Sequence, residues 1–537
     1  MYHSPDSFIH EIRGIDNLSA PRPFIDTDHE ARNAEREFLF YHVFNHQPFG
    51  GTMKASIILA LCTTLLLGIL GCTQKIEYKK IPITTSSEEA RKEFLEGRGI
   101  AEKLQIRNSL PHFDKAIALD SNFATAYLNR ANASFAAKDF FAYLEKAAVL
   151  SDRCSEGERL LILANRAGAY GKLVEQKLYL DSLLGMYPGD ERVQFACGGY
   201  YFGLQDYTHA IEHYLKAMQI APEYTPVYNI LGYAYRQVEN YAEAEKTFKK
   251  YTELIPNDPN PYDSYAELLM KMGLFDESID NYRKALAVDS LFVASRFGIA
   301  ANYMYKGMYD KGAAELETLL KLARNDGERR TKYFTQVVLY VDAGKMNEAL
   351  KELEQQYRIA EKNDDAAAMA GDIGAKGTIL LEMGKFRDAL AAFEASVKII
   401  TASNLSQKVK DNAELFLHYN RAQTAIEQKE LKGAKKETEI FRAGTEANKN
   451  LNQIRFAHEL AGRIALVENN ADTAVKELLQ SNQQNPYDLY RVALAYQMLG
   501  DKAKAKEFCT KAADFNGLPA LNYAFIRTKA KALLSNL

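Results

Sequence analysis

Two stretches of the chain, 191–224 and 225–258, align without a gap and share one pattern of apolar and polar positions. In each, the eighth position is small (Gly198, Gly232), the twenty-fourth is aromatic (Tyr214, Phe248) and the thirty-second is proline (Pro222, Pro256). The register runs on in both directions, through Pro188 and Ser290, through Ala164, Ala266 and Ala300, and through Leu180, Tyr282 and Leu316. Proline lacks an amide N–H and clashes with the preceding turn, so its recurrence predicts a helix stop at the end of each unit. Self-similarity at a fixed period predicts a stack of supersecondary units, each burying its apolar face on its neighbours.

The pattern weakens outward from this centre. Upstream, the stretch from Ala90 keeps Gly97 at position 8 and Phe113 at position 24, and Ser86 with Glu89 has the spacing of a capping box. Diverged units cover 124–156 and 157–190. Downstream, "GKMNEAL", "GKFRDALAAF", "ADTAVKELLQSNQQNP" and "GDKAKAKEF" each carry the turn and second half of a unit. Longer polar stretches near 361–366, 401–411 and 443–452 separate them. The count comes to about eleven units, closed by a lone helix at 520–537 that caps the open end.

A different pattern precedes the array. Residues 53–72, "MKASIILALCTTLLLGILGC", place one lysine before an apolar run with no charge from Ala55 to Cys72. That run is the n-region and h-region of an export signal. As a helix it would reach roughly 27 Å, marginal for a membrane span. Residues 1–52 show neither apolar periodicity nor capped elements. A signal that starts at its own methionine predicts translation from Met53, with 1–52 an over-extended start or a disordered leader.

The 34-residue units resemble the tetratricopeptide repeat: small at 8, Tyr at 11 (Tyr201, Tyr235, Tyr303), small at 20 (Ala210, Ala244, Ser278), aromatic at 24 and Pro at 32. The resemblance implies an all-α fold, a right-handed superhelix of antiparallel helix pairs with a concave groove. Domains follow as leader 1–52, signal 53–72, tether 73–87, N-terminal array 88–326, C-terminal diverged array 327–519 and capping helix 520–537. In this family positions 2, 5, 9, 12 and 13 of the first helix face the groove. Carried onto this chain they include Phe195, Phe202, Asn229, Tyr233, Arg236, Gln237, Asp263, Glu267, Met270, Lys271, Met304 and Tyr305. The mixture of aromatic, amide, Met and both charges suits a protein or peptide partner. The family's carboxylate clamp is not matched, since Leu128 and Phe94 stand where its lysine belongs.

Ile69-Leu70-Gly71-Cys72 resembles a bacterial lipoprotein lipobox. The resemblance implies acylation of Cys72, cleavage before it and a lipid-anchored protein of the cell envelope. Thr73 in place of the inner-membrane retention aspartate points to the outer membrane, and no acidic run follows to direct surface display, so the array is expected to face the periplasm.

Composition changes this picture little. The net charge is −3, and Lys and Arg are scattered, so no nucleic-acid footprint appears. Cys154, Cys197 and Cys509 lie too far apart for a disulfide framework or zinc pattern; Cys197 and Cys509 fall on apolar positions, as small core residues. His209-Ala210-Ile211-Glu212-His213 fits the inverted zinc-protease motif, yet it sits at repeat positions 19–23, between two packing residues. No enzyme and no cofactor are therefore expected. The leading expectation is a membrane-anchored interaction scaffold. Two others stand beside it: a cytoplasmic regulatory module, and a glycan-capturing surface lipoprotein, against which the absence of Trp counts.

Overall fold

The computed structural model describes residues 79–134, 137–448 and 450–537, so the signal segment and Cys72 lie outside the described residues. Among the described residues there are no strands and twenty-five α-helices, twelve antiparallel pairs and a last single helix. The first six pairs are α1 (Glu88–Glu102) with α2 (Ile106–Leu119), α3 (Ala124–Asn132) with α4 (Ala137–Leu150), α5 (Glu156–Ala169) with α6 (Leu173–Met186), α7 (Glu191–Gly203) with α8 (Tyr207–Ile220), α9 (Thr225–Gln237) with α10 (Tyr241–Leu254), and α11 (Pro259–Lys271) with α12 (Phe275–Val288). Then come α13 (Val293–Tyr305) with α14 (Tyr309–Leu322), α15 (Asp326–Asp342) with α16 (Met346–Lys362), α17 (Ala366–Glu382) with α18 (Phe386–Ala402), α19 (Gln407–Glu427) with α20 (Leu431–Asn448), α21 (Leu451–Val467) with α22 (Ala471–Leu478), and α23 (Pro486–Leu499) with α24 (Lys502–Ala513). The last helix is α25 (Leu521–Leu534). Each helix packs on the next along the chain, the arrangement of a solenoid.

The predicted packing rule holds in detail. A Cβ added at Gly198 would lie 2.4 Å from the Tyr214 ring, and one at Gly232 or Gly377 2.6 Å from the Phe248 or Phe393 ring. The small residue at position 8 is thus the seat of the aromatic at 24, and Ala210, Ala244 and Ser278 at position 20 are fully buried beside it. Helices α6, α8 and α10 end two residues before Pro188, Pro222 and Pro256. The carbonyl oxygens of Pro188, Pro222 and Pro256 then accept hydrogen bonds from Gln194, Tyr228 and Tyr262, six residues further on.

A second period marks the turn inside each pair. Gly171, Gln205, Glu239, Gly273 and Gly307, spaced like the repeat, all have positive φ. The turn needs a left-handed residue after the first helix, where glycine carries no Cβ penalty. The same marker continues at Gly344, Gly384, Lys429, Asn469 and Gly500, showing that units lengthen past residue 326 as far as Asn469 and that the last step is shorter. Lengthening comes from the helices, which reach 17 residues in α15 and 21 in α19. The pair α19/α20 is the one that sequence did not resolve. Its turn is Gln428-Lys429 rather than a glycine, and the polar stretches 401–411 and 443–452 overlap the ends of its helices.

Residues 80–87 have no regular structure, yet they are not a free tether. The Ile81 amide donates to Asp190 and the Thr84 amide to Glu158, while Thr85 and Ser86 both donate to Asp120. Lys80 pairs with Glu191. These contacts also correct the expected capping box. Ser86 is drawn to Asp120, and Ser87 caps α1 by accepting from the Ala90 amide.

Candidate interaction surface

The first helices of successive pairs lie against one another and form the inner wall. Ser264 donates to Asn229 at 2.9 Å and receives the Tyr233 hydroxyl, Arg236 pairs with Glu267 at 3.2 Å, and Ser295 donates to Asp263 at 2.6 Å. Burial and the neighbouring Glu267 hold the Asp263 carboxyl well above the usual carboxylate range. Of these, Asn229, Tyr233, Arg236, Asp263 and Glu267 were expected to meet a partner. They are instead the polar ladder that joins α9 to α11 and α11 to α13.

None of the twelve expected groove residues is exposed. Phe202, Asn229, Tyr233, Asp263, Glu267, Met270, Met304 and Tyr305 are buried, and Phe195, Arg236, Gln237 and Lys271 are half-buried. Phe195 packs edge-on to Tyr224. The expectation of an open groove here is therefore corrected, because the chain covers this wall with its own segments. The turn after α1 lies on α9 and α11, where the Thr225 hydroxyl donates to the Glu102 carbonyl and Gln105 donates to Asp258. The loop between α24 and α25 lies on α11 and α13. Lys271 donates to the Phe515 carbonyl at 2.7 Å and sits 4.1 Å from its ring centroid, and Tyr305 donates to the Gly517 carbonyl. Burial lowers the Lys271 ammonium to about 8. Beyond the loop, Tyr523, Phe525 and Ile526 of α25 join Met270, Phe297, Met304 and Val338 in one core. Arg527 forms a two-pronged pair with Asp342, donating from Nε to Oδ1 at 2.7 Å and from Nη2 to Oδ2.

The His209–His213 helix face carries ring stacking. Both imidazoles stack on Tyr201, with centroids at 5.2 and 5.6 Å, and His213 Nδ1 lies 2.8 Å from the Gln194 side-chain oxygen. His209 is exposed and His213 half-buried. Cys197 and Cys509 are buried, as expected of core thiols.

Further along, the inner wall encloses a cavity of about 240 Å³ between α17, α19, α21, α23 and α25. At its centre Glu459 accepts from Arg463 at 3.1 Å, from Arg491 at 2.7 Å and from the Tyr419 hydroxyl at 3.0 Å. Arg491 also donates to Asp488, and Arg463 to Glu427. The sequence reading missed these residues, although the signal was present. Tyr419 and Glu459 are forty apart, as are Gln423 and Arg463, and they hold groove positions 5 and 9 when position 8 is set at Ala422 and Gly462.

Burial, with the charge of Glu459, pushes the Asp488 carboxyl up to about 7 from an ordinary 3.8, against the pull of Arg491. A carboxyl raised in the folded state adds stability that is whole below its unfolded value and gone above its folded one. Wild type is therefore expected to gain on Asp488→Asn as pH falls from about 7 to about 4, by a few kcal/mol at about 1.4 per pH unit. Urea midpoints of both proteins at the two ends of that window measure it, and parallel curves would refute the assignment.

Comparison with known proteins finds a repeat family in part of the chain. A tetratricopeptide repeat family model matches residues 192–224, 225–258, 260–290 and 489–517. The chain is 27% identical over 128 residues to superkiller protein 3 of Schizosaccharomyces pombe, covering 22% of this chain and 9% of that one. It is 27% identical over 113 residues to the peroxisomal targeting signal receptor of Kluyveromyces lactis, covering 21% of this chain and 20% of that one. It thus spans a fifth or less of the length of these relatives. A solved tetratricopeptide repeat protein from Parabacteroides merdae aligns with 48% of this chain and 96% of its own, at 16% identity and a TM-score of 0.36. The matched stretches are tetratricopeptide repeats, set in the middle of the array and again just before its last helix.

Proposed function

We propose that this chain is an interaction scaffold, lipid-anchored through Cys72 in a bacterial cell envelope, at the outer membrane and facing the periplasm. The observation that carries the scaffold reading is the run of matched repeats at 192–290. An array of paired helices offers long surfaces built from many small units, suited to holding another protein. One relative, 27% identical over 113 residues, is named a peroxisomal targeting signal receptor. The envelope address rests on the residues 53–72 alone, since two or more acyl chains anchor a protein stably where one does not.

The partner is assigned to the outward faces of the array, because the inner residues of α7 to α13 are covered. Cross-linking in intact cells, followed by mass spectrometry of the protein purified from the membrane fraction, tests this. The expected result is one partner in near-stoichiometric yield, cross-linked to exposed array residues. Cross-links confined to the chain itself, with the protein recovered from the cytosol, would overturn the reading.

A further inference from the structure

The cavity bounded by α17, α19, α21, α23 and α25 has features that packing alone does not require. Its volume of about 240 Å³ equals roughly eight waters at about 30 Å³ each. Its lining carries three cations, Arg463, Arg491 and Lys529, and three carboxylates, Glu382, Glu427 and Glu459. The ionic lining is therefore balanced, and a ligand with net charge would upset that balance inside a partly dry site.

Arg491 is the informative residue. Its side chain is nine-tenths buried, and its plane stacks on Tyr487 at 4.0 Å from the ring centroid. Both of its hydrogen bonds, to Glu459 and Asp488, run through Nη1, and among the described residues Nε and Nη2 have no partner. A guanidinium presents Nε and Nη2 as a planar fork that matches the two oxygens of a carboxylate. Neither nitrogen is sealed from solvent, so this edge opens onto the cavity and can donate to a group the cavity takes in. Across the cavity, Arg463 is 6% exposed while its partner Glu427 is 49% exposed. Glu427 is thus a carboxylate at the cavity rim, placed to accept from an ammonium group.

We infer that this cavity binds a small zwitterion, a free amino acid or dipeptide, with its carboxylate on the Nε–Nη2 edge of Arg491 and its ammonium toward Glu427. The size, the balanced charge and the open fork agree on this class. A multiply charged phosphate fits the fork but not the three carboxylates. The aromatic faces of Tyr419 and Phe456 on the same wall receive an apolar side chain.

Native mass spectrometry of the full chain tests this, with a casein hydrolysate restricted to amino acids and dipeptides as the probe. The expected result is one adduct per chain, whose mass is that of an amino acid or dipeptide. Methyl-esterifying the same hydrolysate should reduce the adduct at least tenfold, and Arg491→Lys, which keeps the charge but loses the fork, should do likewise. The ester comparison uses the unaltered protein, so it stands even if the variant folds poorly. No adduct, an adduct indifferent to esterification, or preferential uptake of inorganic phosphate would each overturn the inference.

Discussion

Arg527→Leu is expected to lower stability by about 3–5 kcal/mol, because it leaves Asp342 buried without its cation. The Asp342 side chain has no exposure to solvent, and Arg527 supplies both of its guanidinium bonds from a helix 185 residues away in sequence. The loss should appear first as release of α25. Amide exchange over 521–534 should rise to the rate of a frayed terminus, with smaller effects in α15 and α23, against which it packs. Replacing both partners by leucine should recover most of the loss, since an apolar pair of similar volume needs no compensation. A single variant that costs under about 1 kcal/mol, or a double variant as unstable as the single, would show that the pair does not hold the end of the array.

Phe248→Ala is expected to cost about 3–5 kcal/mol, the range for emptying a fully buried aromatic site. Phe248 lies on Gly232 and edge-on to Tyr233, with a centroid distance of 5.3 Å, so it joins both helices of its pair and fills the space toward the next. The damage should be local. Stability in a repeat stack is mostly a sum of nearest-neighbour terms. Exchange protection should therefore fall in α7 to α12 and stay unchanged in α19 to α22. A uniform loss across the chain would mean that closure of the inner wall by α25 couples the halves more tightly than stacking does.

How much of this was legible in the sequence depended on distance along the chain. The position 8 and 24 pairing and the proline stops are written within one unit or its neighbour, and they appear as expected, whereas the last helix, expected as a cap on the open end, packs on α15 and into the core of the inner wall. The covering of the inner wall was not legible. Lys271 and Phe515 are 244 residues apart, Tyr305 and Gly517 are 212 apart, and no local pattern relates them. A family position rule gives the face on which Met270 or Tyr305 lies, but not what lies over that face. The α19/α20 unit was hidden for a different reason. Its longer helices break the 34-residue register, and Lys429 takes the left-handed turn position that Gly384 holds in the preceding unit. The cavity residues were hidden with it, since Tyr419 and Glu459 follow the same position rule on a forty-residue spacing.

The address of the protein can be read from one peptide. The mass of the N-terminal peptide, taken from native protein in separated membrane and soluble fractions, tests the proposed role most directly. The predicted result is a chain that begins at Cys72, carrying two or three acyl groups, in the membrane fraction. An unmodified chain beginning at Met1 in the soluble fraction would contradict it, and would place the same repeat array in the cytoplasm as a regulatory module.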